Sequence, residues 1–107
     1  MLYYTYMIIY RYEYLDGGGP FLTRDGTSRT HPEYSFNDNT LYGCDTIEHL
    51  NEWFNSRNIT LPNTIWLCKY YGEPVYKYPN TGEVIIQKDT AKILSRTRLG
   101  ECICPNI

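Results

Sequence analysis

Along residues 3–14, YYTYMIIYRYEY, side chains sort by parity: Tyr6, Ile8, Tyr10, Tyr12 and Tyr14 fall on one face, Met7, Ile9, Arg11 and Glu13 on the other. This alternation predicts one long strand. The even face is apolar throughout and is expected on the core. The odd face begins apolar and ends charged, so its later half is expected to meet solvent or a cleft. DGGGP, residues 16–20, must end the strand, because consecutive glycines supply positive φ and proline cannot donate to a ladder.

Residues 22–40 are polar and carry turn formers at Asp25-Gly26, His31-Pro32 and Asn37-Asp38-Asn39, which predicts a long loop. The next segment, CDTIEHLNEWFNSRN, switches to helical spacing. Ile47, Leu50 and Phe54 fall on one stripe with Trp53 beside them, and Asp45 with Glu48 three positions on reads as a capping box. A helix over about 46–57 follows. TIWLCKYY (64–71), PVYKY (74–78) and EVIIQ (83–87) read as strands, with PNTG (79–82) as a turn. KDTAKILSRTR then places Ala91, Ile93 and Leu94 inward behind a cap at Asp89 or Thr90, predicting a shorter second helix over about 90–97. The tail, LGECICPNI, alternates well enough to add an edge strand. The expected fold is α+β: one small domain over residues 1–107, a mostly antiparallel sheet, and two helices.

Helical spacing also generates charge ridges. Lys88, Lys92 and Arg96 stand four apart and would form a basic ridge on the second helix, while Asp45, Glu48 and Glu52 would form an acidic ridge on the first. Either ridge suits an oppositely charged partner.

Composition sharpens the picture. Twelve residues are Tyr against three Phe and two Trp, and tyrosine serves both half-buried strands and contact surfaces. The formal charge of −2 argues against a dedicated nucleic-acid binder. In the loop, Arg24, Arg29 and His31 lie near Tyr34 and Phe36, but Asp25, Glu33 and Asp38 dilute that field and favour a protein partner over a nucleic acid. The opening segment has no basic n-region and no long uncharged run, so neither a signal peptide nor a membrane span is expected. A cytoplasmic location, and thiols at Cys44, Cys68, Cys102 and Cys104, follow. The cysteine and histidine spacings match no metal site. Nor does GGGPFLTRDG match a phosphate loop, since no GK[ST] ending follows.

YRYEYLDGGGPF, LYGCDTIEHLNEWF and the late EVIIQ together cover about two thirds of the chain. They resemble a set of small phage and prophage proteins. Those proteins open with a Tyr-Arg-x-Glu strand, continue with Gly-x-Gly-Pro-aromatic, and carry a helix ending in Trp-Phe before a late strand. Their layout is similar to a reduced ADP-ribosyltransferase, in which a first-strand arginine contacts NAD and a glutamate beside a late strand orients the ribose. The resemblance would make these Arg11 and Glu83, with NAD as cofactor; the carboxylate would stabilise oxocarbenium charge as nicotinamide leaves. The middle motif is missing, and Thr81 stands where an acid or glutamine would precede Glu83.

Resemblance and composition together imply a non-enzymatic inhibitor without cofactor. It would bind and block a host defence protein or ribonucleoprotein effector in the bacterial cytoplasm, in the manner of anti-CRISPR proteins. Contact residues would be Arg11, Arg24, Arg29, Tyr34 and Phe36, joined by the Lys88, Lys92 and Arg96 ridge. An exposed tyrosine strand at a sheet edge would instead allow a homodimer.

Overall fold

A computed structural model describes residues 5–15, 17–19 and 39–98. Its core is a six-stranded, wholly antiparallel sheet in the order β4-β5-β2-β1-β3-β6. The strands are β1 (Met7–Glu13), β2 (Thr40–Cys44), β3 (Trp66–Gly72), β4 (Pro74–Lys77), β5 (Glu83–Gln87) and β6 (Lys92–Arg98). One helix, α1 (Ile47–Ser56), follows β2, and a 3₁₀ turn at Lys88–Thr90 joins β5 to β6. The α+β expectation, mostly sheet with one well-formed helix, is borne out.

The second helix is not. Lys92–Arg98 is a strand paired with β3, and only Lys88–Thr90 winds into helical turns. The residues face outward almost throughout, so no buried stripe exists to drive a helix, and the ladder with β3 supplies the backbone hydrogen bonds instead.

α1 forms where its spacing predicts, with a different cap. Thr46, not Asp45, is the N-cap, and its hydroxyl accepts from the His49 N–H at 3.0 Å. Leu50 and Phe54 are buried, whereas Ile47 stays exposed, so the apolar stripe is narrower than expected. Burying those two side chains contributes about 1.5–3 kcal/mol each. At the C-terminus Asn58 takes φ 55, its N–H donates to Asn55 O, and the Ile59 N–H donates to Phe54 O. This is the 6→1, 5→2 closure of a Schellman motif, and Ile59 packs into the cluster that holds Phe54.

The sheet has two apolar faces. Tyr12, Cys44, Leu50, Phe54 and Ile65 pack together on the helix side, where Tyr12 meets Phe54 edge-on at 5.2 Å and donates to Asn51 Oδ1 at 2.7 Å. On the opposite side Ile9, Val84 and Ile86 are fully buried. That second face closes because the sheet rolls. β3 runs into β4 through the single residue Glu73, although the two strands sit far apart in the sheet order. A Cβ on Gly72 of β3 would stand 2.8 Å from Ile86 Cδ1 of β5. The seam is tied by Thr90: its hydroxyl accepts from the Glu73 N–H and donates to Gln87 O, both at 2.9 Å. β1 and β2 touch in register only at Tyr10 and Cys44. Gly43 permits this approach, since a Cβ there would lie 2.6 Å from the Tyr10 carbonyl oxygen.

Burial along β1 differs from its parity. Ile9 and Glu13 of the odd face are buried, while Ile8 of the even face is exposed. The roll explains both, because it encloses the odd face and leaves Ile8 beyond the reach of α1.

Candidate functional site

The rolled face carries a grid of polar side chains across three strands. The register sets Arg11 beside Cys68 and Cys68 beside Arg96; one pleat along, it sets Glu13 beside Trp66 and Trp66 beside Arg98. Glu13 is the hub. Only 3 % exposed, its carboxylate accepts from the Tyr70 hydroxyl at 2.6 Å, lies 3.1 Å from Arg11 Nε and 4.0 Å from Arg96 Nη2. The Arg11 Nε contact is ionic and lies off the line of a hydrogen bond. Arg11 also donates from Nη1 to the Tyr42 carbonyl at 3.3 Å. Arg96 and Arg98 both stand over the Trp66 ring, at 4.5 and 4.8 Å from its centroid.

This environment suppresses ionisation of its neighbours. Burial, then the Glu13 carboxylate, pushes the Cys68 thiol up to about 11. The same two causes raise the Tyr70 phenol above its ordinary value. On the helix side, burial followed by the charges of Glu83 and Asp45 pushes the Cys44 thiol up to about 12. Both cysteines are free and buried.

A second cluster lies where β2 meets α1. His49 Nδ1 and Asp45 Oδ1 are 2.6 Å apart, and Lys77 Nζ lies 3.7 Å from Asp45 Oδ2. The Asp45 bond is the main cause raising the His49 pKa above its ordinary value. Gly82, at φ +77, passes so close that a Cβ would collide with His49 Nδ1 and come within 2.6 Å of Asp45 Oδ1. Asp45 therefore closes a local junction with His49 and Lys77. Among the described residues no group of His, Cys, Asp or Glu is arranged to hold a metal.

The third feature is a phenolic row. Tyr42 of β2 pairs with Ile85 of β5, and Ile85 with Tyr76 of β4, so the three side chains share the helix-side face beyond the edge of α1. Tyr42 is 57 % and Tyr76 53 % exposed, and Tyr78 packs edge-on to Tyr76 at 4.6 Å.

The expected site residues scatter. Arg24, Arg29, Tyr34 and Phe36 lie outside the described residues, as does the tail. Arg11 is held within the sheet, its side chain 11 % exposed. Arg96 is brought to Arg11 through Glu13, a link that helical spacing did not imply. Lys88, Lys92 and Arg96 do not form a ridge: Lys88 is in the 3₁₀ turn, and the pleat sends Lys92, beside Tyr71, to the face opposite Arg96. Arg11 and Glu83 also lie on opposite faces, since Ile9 shares its side with Val84, while Glu83 pairs with Cys44 on the helix side. Glu83 instead accepts from the Thr81 hydroxyl at 3.2 Å.

Sequence reasoning missed Trp66, Arg98, Tyr42 and Tyr76. Their signal was register, which brings alternate residues of separate strands together and which no local pattern encodes. Comparison with family models, with curated proteins and with solved structures found no match to this chain. No helix among the described residues is long and apolar enough to cross a membrane.

Proposed function

We propose that this chain is a phage-type inhibitor that binds and blocks a host defence protein by protein–protein contact, without chemistry of its own. The observation that carries this reading is the uncovered phenolic row of Tyr42, Tyr76 and Tyr78 on a rigid sheet. Tyrosine offers large contact area and a hydrogen-bonding tip at low side-chain entropy cost, which suits it to docking surfaces. A single exposed phenol is ordinary; here Tyr42 and Tyr76 flank Ile85 on the two strands either side of β5, and Tyr78 packs on Tyr76. The placement of Arg11 and Glu83 on opposite faces favours binding over an NAD-dependent transfer, which needs both at one ribose.

The test is capture of a partner from bacterial lysate, its identification, and titration of the purified pair. Alanine at Tyr42 or Tyr76 is expected to cost at least about 2 kcal/mol of binding. Losses of only a few tenths at every phenol would remove the patch as the site. Transfer of label from NAD to a lysate protein, abolished in Glu83→Gln, would replace the reading with the enzymatic one.

A further inference from the structure

Resting on the reading of this chain as a protein-binding module, we propose that the outer edge of β6 receives an acidic, extended segment of the partner as an added strand. Among the described residues β6 is the last strand of the sheet, and it is exposed from Lys92 to Thr97. An edge strand leaves a row of backbone donors and acceptors open to a further strand. Its sequence, KILSRTR, holds three cations and no acid. Arg96 reaches Glu13 at 4.0 Å, and that buried acid is shared with Arg11 and Tyr70.

Charges and bulges on edge strands commonly guard against chance pairing, and β6 has both, with its register shift opposite Lys69 and Tyr70. Two features go further than a guard. Ile93 and Leu94, adjacent at the bulge, are 49 % and 51 % exposed, which invites apolar contact. Arg96 and Arg98 are held against the Trp66 ring, so their planar forks are fixed before a partner arrives. Fixed guanidiniums lose less entropy on gripping a carboxylate than mobile lysines do. A second copy of β6 is a poor occupant, because antiparallel self-pairing about Ser95 would set Lys92 opposite Arg98. A nucleic acid has no peptide backbone with which to continue the ladder. An acidic strand satisfies both constraints.

The probe is a fluorescent peptide of alternating glutamate and valine, read by anisotropy, with a lysine–valine peptide and a single-stranded oligonucleotide as comparators. The glutamate peptide is expected to bind saturably, to slow amide exchange along β6, and to bind about tenfold or more weakly to Lys92→Glu/Arg96→Glu. Lys92→Glu alone carries the comparison if the double variant does not fold. No saturable binding, equal binding of the lysine peptide, tighter binding of the oligonucleotide, insensitivity to charge reversal, or a dimer that the reversal abolishes would each overturn the proposal. If the reversed variant still captures the same lysate partner with undiminished affinity, the edge is not the site and the binding reading stands. If the native protein captures no partner, the binding reading itself falls, while the peptide titration still decides the edge.

Discussion

The Tyr70 hydroxyl donates to Glu13 Oε2 at 2.6 Å, joining the middle of β3 to the end of β1 beneath the rolled sheet. Arg11 and Arg96 approach the same carboxylate from β1 and β6, so one buried acid links three strands. Removing two charges from water is costly, and a buried pair is retained only when its remaining valences are satisfied. Here the phenol supplies that third contact.

Glu13→Ala is therefore expected to destabilise by about 3–5 kcal/mol, because Arg11 stays enclosed without its counter-charge. Tyr70→Phe, which leaves one carboxylate valence empty, should cost about 1–3 kcal/mol. In urea unfolding the double variant should lose less than the sum, with a coupling of about 0.5–3 kcal/mol. Strict additivity would mean that the contact is energetically idle.

The buried thiols give a reactivity and a pH prediction. In a Cys102→Ser/Cys104→Ser background, Cys44 and Cys68 should resist a thiol reagent at pH 8 and react only as the chain unfolds, since their pKa values rise to about 12 and about 11. A raised folded value means the unfolded thiol loses its proton first. The contribution to stability is thus complete below the ordinary thiol value and is lost as pH rises through 11 and 12. Alkaline unfolding should steepen above about pH 9, and Cys44→Ala/Cys68→Ala should make that slope shallower. Tyr70, raised in the same direction, should keep it from becoming flat.

Much of this fold was legible locally. The spacing of Leu50 and Phe54 specified α1, and Gly82 after Pro79-Asn80-Thr81 specified the turn into β5. β6 was not legible, for a physical reason. Its residues are exposed on both faces and its alternation is interrupted by the bulge, so cations four apart read as a helical ridge. Only the ladder with β3 decides the segment. The candidate site was legible in part. Arg11 and Arg96 were singled out one by one, but their meeting at Glu13 depends on a three-strand register and a roll that Gly72 and Glu73 make possible.

His49 should titrate above its ordinary value near 6.5, because Asp45 holds its proton. Its contribution to stability is then complete below that ordinary value and is lost as pH rises through the raised one. NMR titration of the imidazole in the native protein and in Asp45→Asn checks this: the substitution should return His49 toward 6.5. Gly82→Ala should do the same while costing about 1–3 kcal/mol, since φ +77 strains any side chain and the new methyl displaces His49 from Asp45. An unchanged titration in Gly82→Ala would mean that the pair relaxes around the methyl.

Thr90 offers the sharpest test of how the sheet closes. Its hydroxyl is the shared partner of the Glu73 N–H and the Gln87 carbonyl, at the one-residue link where β3 passes into β4. Thr90→Val keeps the shape of the side chain and removes both hydrogen bonds, and an enclosed backbone donor left unpaired costs about 1–3 kcal/mol. Thr90→Ser keeps the hydroxyl and should recover most of that loss. Because Gln87 N–H also donates to Glu73 O at 2.9 Å, the seam in Thr90→Val should open locally before the whole sheet melts. Hydrogen exchange should then quicken at Glu73 and Gln87 while the amides of Ile9 and Val84 keep their protection. Uniform quickening across all four would place closure in the apolar face itself and make the Thr90 bridge incidental.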